Sequence, residues 1–209
     1  VFMDDFYGAV STNVPAGWDA AVIDVGATVV TDTTVGSGHG NGALLFDSDG
    51  ATEGAAVYGE KSIQLTAGKK FWMEMRFKTE IADDSDVQFG LTSLTATSNP
   101  EDLWTTVATD VAAFGVLDGD ATVVLLADKS NTGTAVVTGT IDLVSARWHT
   151  LGIEYDGTTL RGYVDGQLAA STTTTIPTGV VLAPFFGFRN GSAATTEGQI
   201  DYIRWVAER

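Results

Sequence analysis

The segment Arg147 to Leu168, RWHTLGIEYDGTTLRGYVDGQL, most limits what this chain can fold into. Trp148, Thr150, Gly152 and Glu154 alternate with His149, Leu151, Ile153 and Tyr155. Such a period of two belongs to a strand with one face buried. Asp156-Gly157 interrupts it, and Asp-Gly is a strong hairpin signal because glycine accepts positive φ. Leu160, Gly162 and Val164 then alternate with Arg161, Tyr163 and Asp165, and Asp165-Gly166 turns the chain again before Gln167-Leu168. A sequence that reverses twice in this way is committed to antiparallel sheet.

The rest of the chain agrees. Phe71 to Lys78, FWMEMRFK, places Phe71, Met73, Met75 and Phe77 on one face, expected in the core. Trp72, Glu74, Arg76 and Lys78 fall on the other, expected toward solvent or a partner. Val87 to Leu94 follows as a strand, and further short β-branched runs are expected at 18–25, 27–34, 43–46, 54–58, 62–65, 112–117, 121–127, 134–137, 140–144 and 198–207. The run 179–188 reads as a strand bent at Pro184, and the threonines 172–175 fit either strand or loop. One short helix is expected at Pro100 to Ala108. Asn99 caps it, Pro100 occupies the first position without losing a bond, and Glu101 and Asp102 complement the dipole. Short strands at spacings near ten with a single helix predict an all-β sandwich of two antiparallel sheets, formed by one domain spanning 1–209.

With 44% hydrophobic residues the chain can bury a sizeable core, and without cysteine that core needs packing rather than disulfides. The net charge of −16 opposes the phosphate backbone of nucleic acid and an anionic membrane surface, so neither is an expected partner. No run reaches the length of a transmembrane helix.

Candidate chemistry is sparse. His39 and His149 are too few for a zinc site, and His149 fits a structural place in the sheet. Val35 to Gly42, VGSGHGNG, suits a hairpin tip or a loop where a ligand meets backbone, and it lacks the Lys-Ser or Lys-Thr of a phosphate loop. Three acidic turns, Asp47-Ser-Asp49-Gly50, Asp83-Asp-Ser-Asp86 and Asp118-Gly-Asp120, offer oxygens for calcium, but none has the full set that calcium takes. No catalytic, cofactor or metal residue is assigned.

The hairpin Trp148 to Leu168, with its Y-V-D-G-Q-L, resembles the central hairpin of concanavalin A-like and laminin-G-like jelly rolls. That resemblance implies the sandwich fold and leaves lectin, glycosidase, adhesion and viral-shell roles open. A laminarinase-type enzyme would carry E-x-D-x-x-E on a strand. Here Glu154-Tyr-Asp156-Gly-Thr-Thr159 lacks the last carboxylate and runs into a turn, so Glu154 and Asp156 read as solvated residues and a glycoside hydrolase ranks last. Trp72 and Trp104 could stack on sugar rings or fill the core, which keeps a carbohydrate-binding or adhesion module as the alternative.

A second resemblance runs along the chain in order. FMDDFYGAV at Phe2 to Val10, Trp18, FWMEMRFK, VQFGLTSL and I-D-Y-I at Ile200 to Ile203 are similar to segments of tailed-bacteriophage virion proteins. It implies a non-enzymatic structural protein, a capsid decoration or cement protein on the outer capsid surface of the virion. The major capsid protein would be its partner, and a homo-oligomer, on analogy a trimer, its form. Phe2, Asp4, Asp5, Phe6, Tyr7, Tyr202, Arg204 and Trp205, which mix aromatics with charge at the two ends, are the partner-contact candidates. The alternative for these ends is that they pair with each other as strands.

Overall fold

The computed structural model describes residues 2–4, 18, 20–23, 28–32, 43–48, 50, 53–94, 110–130, 135–191 and 196–208. They form sixteen strands, numbered in chain order, in two antiparallel sheets. The first sheet runs β14 (Gln167–Thr172), β13 (Leu160–Val164), β12 (His149–Tyr155), β7 (Phe71–Thr79), β16 (Thr196–Ala207), β4 (Ala43–Ser48) and β3 (Thr28–Asp32). β1 (Phe2–Asp4) also pairs with β16. The second runs β11 (Ala135–Asp142), β10 (Asp120–Lys129), β9 (Asp110–Leu117), β8 (Ser85–Thr92), β15 (Val181–Asn190), β5 (Gly54–Tyr58) and β2 (Ala20–Ile23), with β6 (Ile63–Gln64) on β15. The described residues contain no helix, and the segment expected to form one, Pro100 to Ala108, lies outside them.

The two Asp-Gly turns connect β12 to β13 and β13 to β14. At the first, the Asp156 carboxylate accepts the N–H groups of Thr158 (2.9 Å) and Thr159 (2.8 Å), and Gly157 takes a φ of 102°. At the second, Asp165 itself has a φ of 49°. It is held there by the N–H of Thr150 on Oδ1 (2.8 Å) and by the His149 imidazole on Oδ2 (2.9 Å). The other ring nitrogen of His149 accepts the N–H of Val144 (3.0 Å), so Nδ1 carries the proton. His149 is thus a buried structural residue joining two turns.

The core lies between the sheets. Met73, Met75, Phe77, Leu151 and Ile153 from the first sheet meet Phe89, Phe114, Leu125 and Phe186 from the second. Each such side chain stabilises the fold by about 1.5–3 kcal/mol on burial. A Cβ at Gly162 would stand 2.4 Å from the ring of Phe114, so that glycine makes room for the aromatic across the sandwich.

Two expectations change. The runs 134–137 and 140–144 meet in one strand, β11, because Thr138 continues the ladder against β10 and the register then shifts at a bulge before Asp142 instead of the chain turning. Its alternate half-buried and exposed residues mark an edge strand. Pro184 lies inside β15, a central strand, where no bend interrupts the pairing with β8. It is tolerated because the partner on its other side changes there from β5 to β6, and its carbonyl accepts the N–H of Gly59 (2.8 Å).

A bulge in β16 decides which of its side chains reach the outer face. Ile200 pairs with Phe77 but Tyr202 pairs with Arg76, so Asp201 is an extra residue. One inserted residue exchanges the faces of everything after it. Ile200 and Ile203 therefore both point into the core, and Tyr202 and Arg204 reach the outer face. Asp201 is tied by an ion pair to Arg76 at 2.5 Å.

Candidate functional site

The outer face of the first sheet carries the densest polar and aromatic cluster described. In register across it stand Arg204 of β16, Glu74 of β7, Gly152 of β12 and Tyr163 of β13. The next row holds Val206, Trp72, Glu154 and Arg161. Trp72 leans across the rows. A Cβ at Gly152 would stand 2.7 Å from its six-membered ring, so only glycine lets the indole lie there. The indole then sits 5.5 Å from the ring of Tyr163 at 55°.

Alternation along β7 puts Glu74 on the outward face, yet the side chain is buried. Its Oε1 accepts the hydroxyl of Tyr202 (2.6 Å) and the guanidinium of Arg204 (2.8 Å), and its Oε2 accepts the indole N–H of Trp72 (3.2 Å). Burial pushes its pKa up, but the donors from Tyr202, Arg204 and Trp72 outweigh burial and hold the carboxyl below its ordinary value. A carboxylate has about four acceptor positions. Three are taken, which leaves Oε2 able to receive one more donor.

Glu154 and Asp156, solvated on the sequence reading, are both engaged. Tyr163 donates its hydroxyl to Glu154 (2.5 Å), and Arg161 bridges Glu154 (3.5 Å) and Asp156 (2.7 Å). Burial, then the bond to Glu154, push the Tyr163 phenol up to about 12. The turn N–H of Thr159, then Arg161 and Thr158, hold the Asp156 carboxyl well below the usual range. Asp165 is lowered as well, since the Thr150 N–H and His149 outweigh its burial.

Trp72 is the wall shared by two clefts. One, of about 380 Å³, is lined by Trp72, Glu74, Thr150, Tyr163 and Asp165 over the floor of Gly152. The other, of about 220 Å³, lies on the far side of Trp72, among Lys70, Glu154, Val206 and Glu208. A third, of about 540 Å³, opens at the rim between β6 and the end of β16.

The terminal candidates divide. Tyr202 and Arg204 join the open face through Glu74. Phe2 and Trp205 stack at 3.9 Å and line the rim cleft. β1, including Asp4, pairs with β16, so the two ends do pair as strands. Asp5, Phe6 and Tyr7 lie outside the described residues, as do Val35 to Gly42 and Trp104. Sequence reasoning does not single out Glu74, Arg161 or Tyr163 as site residues. Their only sequence signal is outward parity, and they converge only once β7, β12, β13 and β16 are in register.

Two of the three acidic turns come together. Gly119 donates its N–H to the carbonyl of Asp83, and Asp118 donates its N–H to the Asp86 carboxylate, which also pairs with Arg189 Nε at 2.6 Å. Among the described residues no group of three or more His, Asp or Glu is placed to hold a metal ion. Nor is any helix among them long and apolar enough to cross a membrane.

Solved structures of several proteins share this architecture. A Bacillus licheniformis β-glucanase superposes with a TM-score of 0.58 at 16% identity over 100% of this chain and 98% of its own. The carbohydrate recognition domain of Emp47p does so with 0.58 at 12% identity, over 99% of this chain and 95% of that domain. A sialidase matches with 0.57 at 12% identity over 89% of this chain, which spans only 17% of that longer protein. These likenesses are of fold. A search of curated protein sequences finds no match. A family model does match across residues 46–208, and the chain belongs to the concanavalin A-like lectin/glucanases superfamily.

Proposed function

We propose that the protein is a non-catalytic glycan-binding module that takes saccharide on the outer face of its first sheet. The observation that carries this reading is Trp72, an indole standing between two clefts whose polar rims are already fixed. An aromatic side chain offers a large apolar surface for the C–H face of a sugar ring. Thr150, the spare acceptor on Glu74 Oε2 and the carboxylate of Asp165 supply convergent groups for hydroxyls. Because Glu74 and Glu154 are held by neighbours before any ligand arrives, binding need not order them.

The same geometry favours binding over hydrolysis. Glycoside cleavage needs one carboxyl kept protonated as an acid and a second as nucleophile or base. Glu74 is held low and ionised, which is the wrong state for an acid at neutral pH. Glu154 is spanned by Tyr163 and Arg161. The test is calorimetric titration with a panel of oligosaccharides, using the parent and Trp72→Ala. Binding by the parent, weakened on the order of tenfold or more in the variant, is expected. Cleavage of a bound glycan by the parent would remove the non-catalytic half of the reading.

A second reading, decoration of a phage capsid as a homo-oligomer, rests on the sequence resemblance alone. FWMEMRFK, VQFGLTSL and IDYI, through which that resemblance runs, fold as β7, β8 and part of β16, the middle of the two sheets. The two readings are compatible, since a decoration protein can present a glycan-binding face. Mass spectrometry of purified virions tests it, and absence from every particle fraction counts against it.

A further inference from the structure

We infer that the ligand is an uncharged polysaccharide bound along its length, laid from the Tyr163 cleft over Trp72 and round the rim at Glu208 into the cleft beside Thr66. This deepens the glycan-binding reading and rests on it. The three clefts adjoin one another in series. The first and second share Trp72 as a wall, and the second and third share Glu208. They follow β7 backwards from Glu74 to Lys70 and pass on to Ser62, Gln64 and Thr66 in the preceding segment. At about 3.3 Å per residue, Glu74 to Lys70 alone spans about 13 Å, longer than one pyranose ring. A site built to recognise a chain end would be a single closed pocket, and these are open clefts in series.

The charge of the path selects the class. Glu74, Asp165, Glu154 and Glu208 line the first two clefts against Lys70. Arg204 and Arg161 lie beside them but are already paired with Glu74, Glu154 and Asp156. The rim cleft adds Lys69 opposite Glu208. Counted once each, the carboxylates Glu74, Asp165, Glu154, Asp156 and Glu208 outnumber the cations Lys70, Lys69, Arg204 and Arg161 among the described residues along the path, on a chain whose net charge is −16. A polyuronate would place a negative charge on every sugar against this surface, at separations within a Debye length of about 8 Å. Hydroxyl-bearing neutral sugars meet no such repulsion, and the carboxylates accept their hydrogen bonds.

The experiment is titration of a length series of neutral oligosaccharides, from dimer to octamer, beside matched oligouronates. Parent, Trp72→Ala and Thr66→Trp are compared. Thr66 is exposed on the rim cleft, so an indole there fills the cleft without entering the core. For the parent, affinity is expected to rise on the order of tenfold or more between dimer and octamer. Thr66→Trp should erase that gain and leave dimer affinity unchanged, while Trp72→Ala weakens both. Circular dichroism checks the fold, and Ser62→Trp serves if Thr66→Trp misfolds. Equal affinity for dimer and octamer, an equal loss for both in the rim variant, or tighter binding of oligouronates overturns this inference and leaves glycan binding intact. A parent that binds neither series overturns the glycan-binding reading itself.

Discussion

The outer faces of the two sheets solve opposite problems, and one carboxylate on each shows how. On the first sheet Glu74 is buried, yet its pKa is lowered, because Tyr202, Arg204 and Trp72 all donate to it and outweigh desolvation. On the second, Asp86 is buried too, and its pKa is raised. There desolvation wins over the N–H of Asp118 and the guanidinium of Arg189. Around Glu74 the surface is cleft and partly open, with Trp72 and Tyr163 half-buried. Around Asp86 the face is closed. Tyr58, Val111, Ala113, Val124, Leu126 and Phe185 form a second buried apolar cluster on the side away from the main core. Gln88, also buried there, has no partner among the described residues for either amide atom. The difference teaches that, among the described residues, the first sheet has the outer face with open clefts and the second has a closed one.

The sharpest way to break that contrast is to remove one arginine from each face. Arg189→Met leaves Asp86 charged in a closed environment, and breaking a buried pair costs about 3–5 kcal/mol. The urea midpoint should fall accordingly at neutral pH. Because Asp86 is already raised, its folded form binds protons more tightly than the unfolded chain. Acidification through the carboxylate range should therefore recover part of the loss. A midpoint unchanged from the parent would mean that the second face is open after all.

Glu74→Ala comes next. It strands the donors of Tyr202, Arg204 and Trp72, at about 1.5–3 kcal/mol for bonds to a charged group. Its pH dependence runs opposite to that of Asp86. Since the folded pKa is lowered, the stabilisation is fully present above the unfolded value and disappears as pH falls through the folded one. Parent and variant should therefore converge in stability in strong acid. Chemical denaturation as a function of pH checks the sign, and a gap that widens in acid would contradict the assignment.

These outcomes also mark what was legible in the sequence. The turns at Asp156 and Asp165, the inward set Phe71, Met73, Met75 and Phe77, and the two-sheet architecture follow from local alternation, which depends on neighbours only a few residues away. The site does not. Glu74 meets Tyr202 and Arg204 across more than a hundred residues, and only because the Asp201 bulge turns them outward. A strict period of two from Ile200 would have placed Tyr202 and Arg204 in the core. Closure of the second face was equally hidden, since alternation reveals that a face is apolar but not whether it is covered.

A smaller effect isolates Trp72. Gly152→Ala would place a Cβ 2.7 Å from the indole, which must tilt off its seat. Overpacking of this kind costs about 1–3 kcal/mol, at the low end here because one side of the ring faces a cleft. The expected signature is a change in tryptophan emission and weaker glycan binding with only a modest drop in thermal midpoint. Unaltered binding would detach the indole from the ligand path.

Arg161→Met, the counterpart of Arg189→Met, should have the smallest effect on stability. Arg161 bridges Glu154 and Asp156, but all three side chains keep contact with water. Exposed pairs of this kind contribute about 0–1 kcal/mol and weaken with salt. The Asp156 carboxylate also keeps its bonds to the N–H groups of Thr158 and Thr159, so the turn holds without the arginine. Glu154 keeps the hydroxyl of Tyr163. The urea midpoint should therefore move little, and the small shift should vanish in high salt. Arg189→Met should keep most of its cost under the same conditions, because Asp86 is buried away from the solvent that reaches Glu154 and Asp156. If both variants lose stability equally and respond equally to salt, the two faces are electrostatically alike, and the proposal of a ligand on the first rests on Trp72 alone.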